Sequence, residues 1–136
     1  MKALGLDLGS KTVGIAISDA LGMLARPVKT IRFREDDYEE ALELVIMEIN
    51  DDVSAIVLGL PKHMNGDIGI RGEISLMFKD MLTKRIKQPV VLWDERLSTK
   101  SAERLLISSN MRRDKRKQVI DQAAAVTILQ SYLDSR

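Results

Sequence analysis

The chain has 136 residues, 45% of them hydrophobic and 30% charged, with a formal net charge of +1. That is the size and balance of one globular domain, residues 1–136, with a single continuous core. It has no cysteine and one histidine, which excludes disulfide frameworks, zinc–thiolate sites, cysteine nucleophiles and multi-histidine centres. Any metal must be held by carboxylates, which selects hard cations such as Mg²⁺ or Mn²⁺.

No apolar run approaches the roughly 18 residues of a membrane span. The N-terminus, MKALGLDLGS, lacks the cationic region, apolar stretch and cleavage site of a signal peptide, so the expected compartment is the cytoplasm. The near-neutral total hides an uneven distribution. Nine acids and no Lys or Arg lie between Glu35 and Asp52, whereas Lys84 to Gln118 holds eleven bases against four acids. A basic half is the electrostatic footprint of a polyanion partner, and equally of a solvated surface balanced by an acidic helix.

In chain order, residues 2–8 alternate, with Leu4, Leu6 and Leu8 on one face and Ala3, Gly5 and Asp7 on the other. Residues 12–18 repeat the pattern with Val13, Ile15 and Ile17, and Gly9-Ser10-Lys11 is short enough to close a hairpin. A third strand is expected from Leu24 to Phe33. A helix follows from about Asp37, its stripe formed by Tyr38, Leu42, Val45, Ile46 and Ile49, with the acids of Glu35 to Glu40 at its positive end. Val53 to Leu60 is continuously apolar, as in a strand covered on both faces. After a Gly-rich loop, Pro61 to Gly72, a second helix carries Ile74, Met77, Phe78 and Met81. Pro89 to Trp93 is another buried strand, ending in Asp94-Glu95-Arg96. Ser98 or Thr99 caps a helix containing Ala102, Leu105 and Leu106, a basic loop runs from Ser108 to about Lys115, and a last helix covers roughly Arg116 to Leu133. The order β-β-β-α-β-α-β-α-α predicts an α/β fold: a mixed five-stranded sheet, three antiparallel strands then βα units, with helices on both faces.

Acids stand at three places where a plain core would not put them. Asp7 sits in a strand between Gly5 and Gly9, where a carboxylate needs a cation or several donors to offset desolvation. Asp94 and Glu95 end the last strand; alternation points them to opposite faces, so one of them joins a shared site. The choice stays open, because a bulge would change the phase. Asp121 shares the inward face of the last helix with Ala125, Ile128, Leu129 and Tyr132. Carboxylates gathered from separate elements repel unless divalent ions neutralise them, which suits two-metal phosphodiester cleavage. The basic segment MRRDKRKQ supplies Arg112, Arg113, Lys115, Arg116 and Lys117 as phosphate ligands, with Lys11 and Arg96 nearer the acids. The lone His63, in a loop whose glycines suit a flap, reads as a loop histidine more readily than as a general acid.

Four stretches, GLDLGSKTVGIAISD, GLPKHMNGDIG, WDERLST and KRKQVIDQAAAVTILQSYLD, together resemble the YqgF family of RuvX-like Holliday junction resolvases across essentially the whole chain. The resemblance implies the RNase H-like fold and a nuclease using Mg²⁺ or Mn²⁺. It implies a metal set of Asp7, Asp121 and the Asp94-Glu95 pair, with Asp7, Glu95 and Asp121 as the catalytic acids. Family members are associated with maturing the 5′ end of pre-16S ribosomal RNA and with resolving four-way DNA junctions. Lys62-His63 and Asn65 depart from the Leu-Asn and Asp that members commonly carry there.

The Asp-x-Gly of the first strand also marks actin-like ATPases and sugar kinases, but those enclose nucleotide between two such domains. A non-catalytic RNA-binding assembly module would use the basic half and leave the converging acids unexplained. The expectation is therefore a metal-dependent nuclease acting on structured nucleic acid, pre-16S rRNA ahead of junction DNA, working as a monomer or homodimer.

Overall fold

The computed structural model describes residues 2–63, 65–97 and 113–136, with side chains throughout except over 113–122. Five strands, β1 (Lys2–Leu8), β2 (Thr12–Ser18), β3 (Ala25–Arg32), β4 (Val53–Leu60) and β5 (Val90–Asp94), form one sheet in the order β3-β2-β1-β4-β5. The first three pair antiparallel; β1, β4 and β5 run parallel. Three α-helices are described, α1 (Tyr38–Ile46), α2 (Ile70–Thr83) and α3 (Arg113–Asp134), with a 3-10 turn at Glu95–Leu97. The expected mixed five-stranded sheet is present.

Both faces of the sheet are covered, and the alternation of β1 explains how. Leu4, Leu6 and Leu8 join Val13, Ile15, Ile56 and Leu58 under α1 and α2, against Leu42, Val45, Phe78 and Leu82. The opposite face is built of small residues, Ala3, Ala16 and Val57, and receives Ala125, Ile128, Leu129 and Leu133 of α3. An ideal Cβ on Gly5 would lie 2.8 Å from Leu129 Cβ and 3.1 Å from the Ala125 carbonyl oxygen. The glycine is what lets α3 approach the strand backbone. Pro27 is tolerated because β3 is an edge strand, and the β2–β3 register shifts beside its partner Ala16.

Local chemistry sets the boundaries. The Asp37 carboxylate caps α1 by accepting from the Glu40 N–H at 3.1 Å. Helix α2 begins at Ile70, inside the segment expected to be loop as far as Gly72, with Gly69 as its N-cap. Gly72 belongs to the helix because the close approach of Ile68 and the Pro61 carbonyl leaves no room for a Cβ. Helix α3 starts at Arg113, three residues earlier than expected; residues 113–118 hold neither glycine nor proline, and all but Asp114 are good helix formers. The helix expected around Ala102, Leu105 and Leu106 lies outside the described residues, as does the basic loop from 108 to 112.

One buried polar link joins the sheet's far end. Ser18 Oγ accepts from the Ala3 N–H at 2.8 Å and donates to the Asp19 carbonyl at 3.1 Å. Ser18→Ala strands that buried N–H, so an expected loss of about 1–3 kcal/mol should appear as a Tm several degrees lower in thermal denaturation. An unchanged Tm would mean that water replaces the hydroxyl.

Candidate active site

The parallel strands β1, β4 and β5 end along one edge of the sheet, the place where open α/β sheets carry their sites. Asp7, at the end of β1, shares a face with Ala3 and Gly5 and pairs across the hairpin with Gly14, so its side chain lies on the α3 side. On β5 the same alternation puts Trp93 toward α3, where its indole N–H donates to Ser131 Oγ at 3.0 Å and its ring meets Tyr132 edge-on at 5.8 Å. Asp94 then faces away, and Glu95, in the 3-10 turn, returns to the face of Asp7.

Glu95 folds back across β4 at Gly59. A Cβ there would stand 2.9 Å from Glu95 Cγ, 3.0 Å from Cδ and 2.6 Å from Ile128 Cδ1. The carboxyl group is mostly buried and hydrogen-bonded to Asp7. Burial first, then the Asp7 charge, that hydrogen bond and the more distant Asp94 push its pKa up to about 9, against the opposing pull of Arg71. This raised value favours the protonated form of Glu95, hydrogen-bonded to Asp7, at neutral pH.

Arg71, in the first turn of α2, reaches over the end of β1. Its Nη2 donates to the Leu8 carbonyl at 3.2 Å and its Nη1 to the Tyr38 hydroxyl at 3.1 Å. Tyr38 in turn donates to Asp36 Oδ1 at 3.1 Å, and Asp36, at φ 59°, is tied to the hairpin by its N–H to the Ser10 carbonyl at 2.8 Å. This chain of contacts holds a guanidinium beside the acid pair.

Asp94 does a different job. Arg96 forks onto it through Nε at 3.0–3.1 Å and Nη2 at 2.7 Å, holding its carboxyl below the ordinary carboxylate range, with a smaller contribution from Lys62. The pair is intact on the surface of the turn, where Arg96 Nη1 also approaches Gly66. Lys11 is exposed in the β1–β2 hairpin. Arg113, Lys115, Arg116, Lys117 and Asp121 lie on the backbone of α3, but their side chains are outside the description, and Arg112 is outside it altogether. Asp121 is four residues, about one helical turn, before Ala125, whose carbonyl rests on Gly5. Among the described residues no group of three or more acids or histidines gathers as a cation site.

The structure thus brings Asp7 and Glu95 together, keeps Asp94 apart, and adds two residues that the sequence reading missed. Gly59 carried a legible signal: a glycine inside an apolar strand marks close approach of another group. Arg71 was hidden because its stretch reads as loop; only a helix beginning at Ile70 aims it at the acids.

A mixed sheet in this order, with an acid at the end of β1 and another just past β5, defines an RNase H-like α/β fold. The chain aligns over 99% of its length with 95% of Thermus thermophilus RuvC in complex with a Holliday junction substrate, at TM-score 0.54 and 12% sequence identity, a likeness of fold. Residues 1–135 match the family described as RuvX: Holliday junction resolvase, and the chain belongs to that family. It is similar to proteins named "Putative pre-16S rRNA nuclease" in Oceanobacillus iheyensis, 52% identical with 100% of both chains covered, and in Geobacillus sp., 53% identical with 100% of this chain and 99% of that one covered. A Bacillus licheniformis relative of the same name is 53% identical over 99% of this chain and 98% of its own. The enzyme class that accompanies this membership is nuclease, a hydrolase acting on ester bonds.

Proposed function

We propose that this nuclease is divalent-metal-dependent and trims the 5′ end of pre-16S ribosomal RNA, with Asp7, Glu95 and Asp121 as its catalytic acids and metal ligands. The half-buried, hydrogen-bonded pair of Asp7 and Glu95 carries the proposal. Such a pair costs stability and fills no packing need; a hard divalent cation accepting oxygen ligands offsets both charges. The donor set fits Mg²⁺ or Mn²⁺, and Asp94, already engaged by Arg96, sits at its margin. When bound, the metal activates water toward phosphorus and stabilises the leaving oxygen of the broken P–O bond.

The chain's own residues do the rest. Glu95 would hold a cation as its carboxylate, its proton passing to solvent. Arg71 fixes the end of β1 and, by its charge, favours the ionised form of Glu95. Lys11, and in the sequence the basic run of Arg112, Arg113, Lys115, Arg116 and Lys117, supply positive charge of the kind that binds a phosphate backbone. The reading implies work in the cytoplasm; among the described residues no helix is long and apolar enough to cross a membrane. It also implies that a monomer suffices at an RNA end, whereas a two-fold symmetric junction needs two sites and a homodimer. The family description keeps junction cleavage as the second reading.

The deciding experiment is cleavage of a pre-16S 5′ leader, an unstructured RNA and a four-way DNA junction in Mg²⁺ or Mn²⁺. Wild type should cut the leader, and Asp7→Asn should be at least about 10³-fold slower, the loss of several kcal/mol of charge stabilisation. Junction-only cutting would replace the ribosomal reading with the recombination one. Binding without cutting of any substrate would leave an assembly factor. Arg71→Gln should lower kcat by about 10–100-fold with KM little changed, as for residues that orient metal ligands. A rise in KM alone would make it a substrate contact instead.

A further inference from the structure

Beside the acid pair lies a cavity of about 520 Å³ whose wall is mainly apolar. Pro61, His63 and Ile70 line it, and Lys62 and Arg71 bring it two cations. Helix packing does not account for Ile70: it is 78% exposed, a large aliphatic side chain left in solvent in the first turn of α2. Two of its lining residues also carry charge toward the acids. Arg71 lines it and faces Glu95, while Lys62 lines it and acts on Asp94.

The walls are held in place. The His63 N–H donates to the Asp67 carbonyl at 2.9 Å, and the His63 carbonyl accepts from the Gly66 N–H at 2.8 Å. Asn65 closes the turn from within, accepting from the Asp67 N–H at 3.0 Å and donating to the Asp67 carboxylate at 3.0 Å. His63 Nε2 abuts Gly69 so closely that a Cβ there would be 2.4 Å away. The loop whose glycines suggested a flap is therefore cross-braced, with its imidazole fixed against the start of α2. A pre-formed pocket loses little on ordering when occupied.

We infer that this cavity is a nucleobase pocket, taking one unpaired nucleotide of the nucleic-acid strand next to the phosphate that is cut. A base is flat and apolar on its faces, matching Pro61, Ile70 and the imidazole, and a flanking phosphate matches Lys62. A bare phosphate would leave the apolar wall unused, and a paired base cannot enter. The pocket thus selects for an unstacked nucleotide at the cleavage site, which deepens the RNA-trimming reading and rests on it.

The test uses the full-length Asp7→Asn protein, folded by circular dichroism, so that binding is read without cleavage. A pre-16S 5′ leader oligonucleotide is titrated intact and with a single abasic ribose moved position by position across the cut. One position next to the cut should lose roughly tenfold in affinity. Adding His63→Ala and Ile70→Ala should weaken the intact RNA by a similar factor and leave the RNA abasic at that position almost unaffected. Equal weakening of both RNAs, or no position sensitive to base removal, overturns the pocket. Wild-type cleavage of the same leader is measured in parallel: cutting with additive binding effects sinks the pocket alone, and neither cutting nor binding sinks the nuclease reading and the pocket together.

Discussion

Glu95→Gln should make the metal-free protein more stable at alkaline pH while removing cleavage. The folded pKa of Glu95, about 9, is far above that of an unfolded glutamate. The stability linked to its protonated form is therefore fully present below the unfolded value of about 4.5 and is lost as pH rises through about 9. Gln keeps a donor for Asp7 and has no proton to lose. In EDTA at pH 5 the two proteins should melt together. By pH 8 the variant should lead by roughly 10 °C or more, since the linked term is on the order of a few kcal/mol. Adding Mg²⁺ should raise the wild-type Tm and not that of the variant, and calorimetry in buffers of different ionisation enthalpy should show a proton released on uptake. Equal melting at pH 8 in EDTA would mean that Glu95 is already ionised. Activity should fall by about 10³-fold or more, because the variant lacks one of the oxygen anions that hold the metal.

Gly5→Val should have the largest effect on the scaffold. The new side chain would meet Leu129 Cβ and the Ala125 carbonyl oxygen at under 3.2 Å, and the second of these is helix backbone. Helix α3 has to lift from β1, at a cost of about 3 kcal/mol, the upper end for overpacking. Asp121 rides on the same helix, so cleavage should fall further than the loss of folded protein accounts for, even well below the new Tm. Gly22→Ala is the control. Gly22 has φ 70° and nothing within 4 Å of its would-be Cβ, so the change should cost about 1 kcal/mol of backbone strain and leave activity intact. Full activity in Gly5→Val would detach α3 from the catalytic machinery.

Much of the scaffold was readable from periodicity. The apolar run of Val53 to Leu60 anticipated a strand covered on both faces, and the alternation in residues 2–8 anticipated which residues of β1 share a face, because burial dictates side-chain type residue by residue. Element ends were read less well. The start of α2 lies in a glycine-rich stretch that reads as loop, where Gly72 meets the Pro61 carbonyl and Ile68 only in the folded chain. Asp7 stood out as a carboxylate amid small residues, whereas Arg71 looked like one more surface cation until α2 gave it a direction.

By itself, then, the amino-acid order determined a mixed α/β sheet and pointed to carboxylates as its candidate site: no cysteine, one histidine, and acids at strand ends leave few other options. The tertiary structure decided which acid answers Asp7. Asp94 and Glu95 are adjacent in sequence and equivalent in type. The phase of β5, marked by Trp93 against α3, turns one toward Arg96 and the other across Gly59 onto Asp7. Period-two geometry makes two neighbours point apart, but only the packing of the sheet against a particular helix says which side is the site.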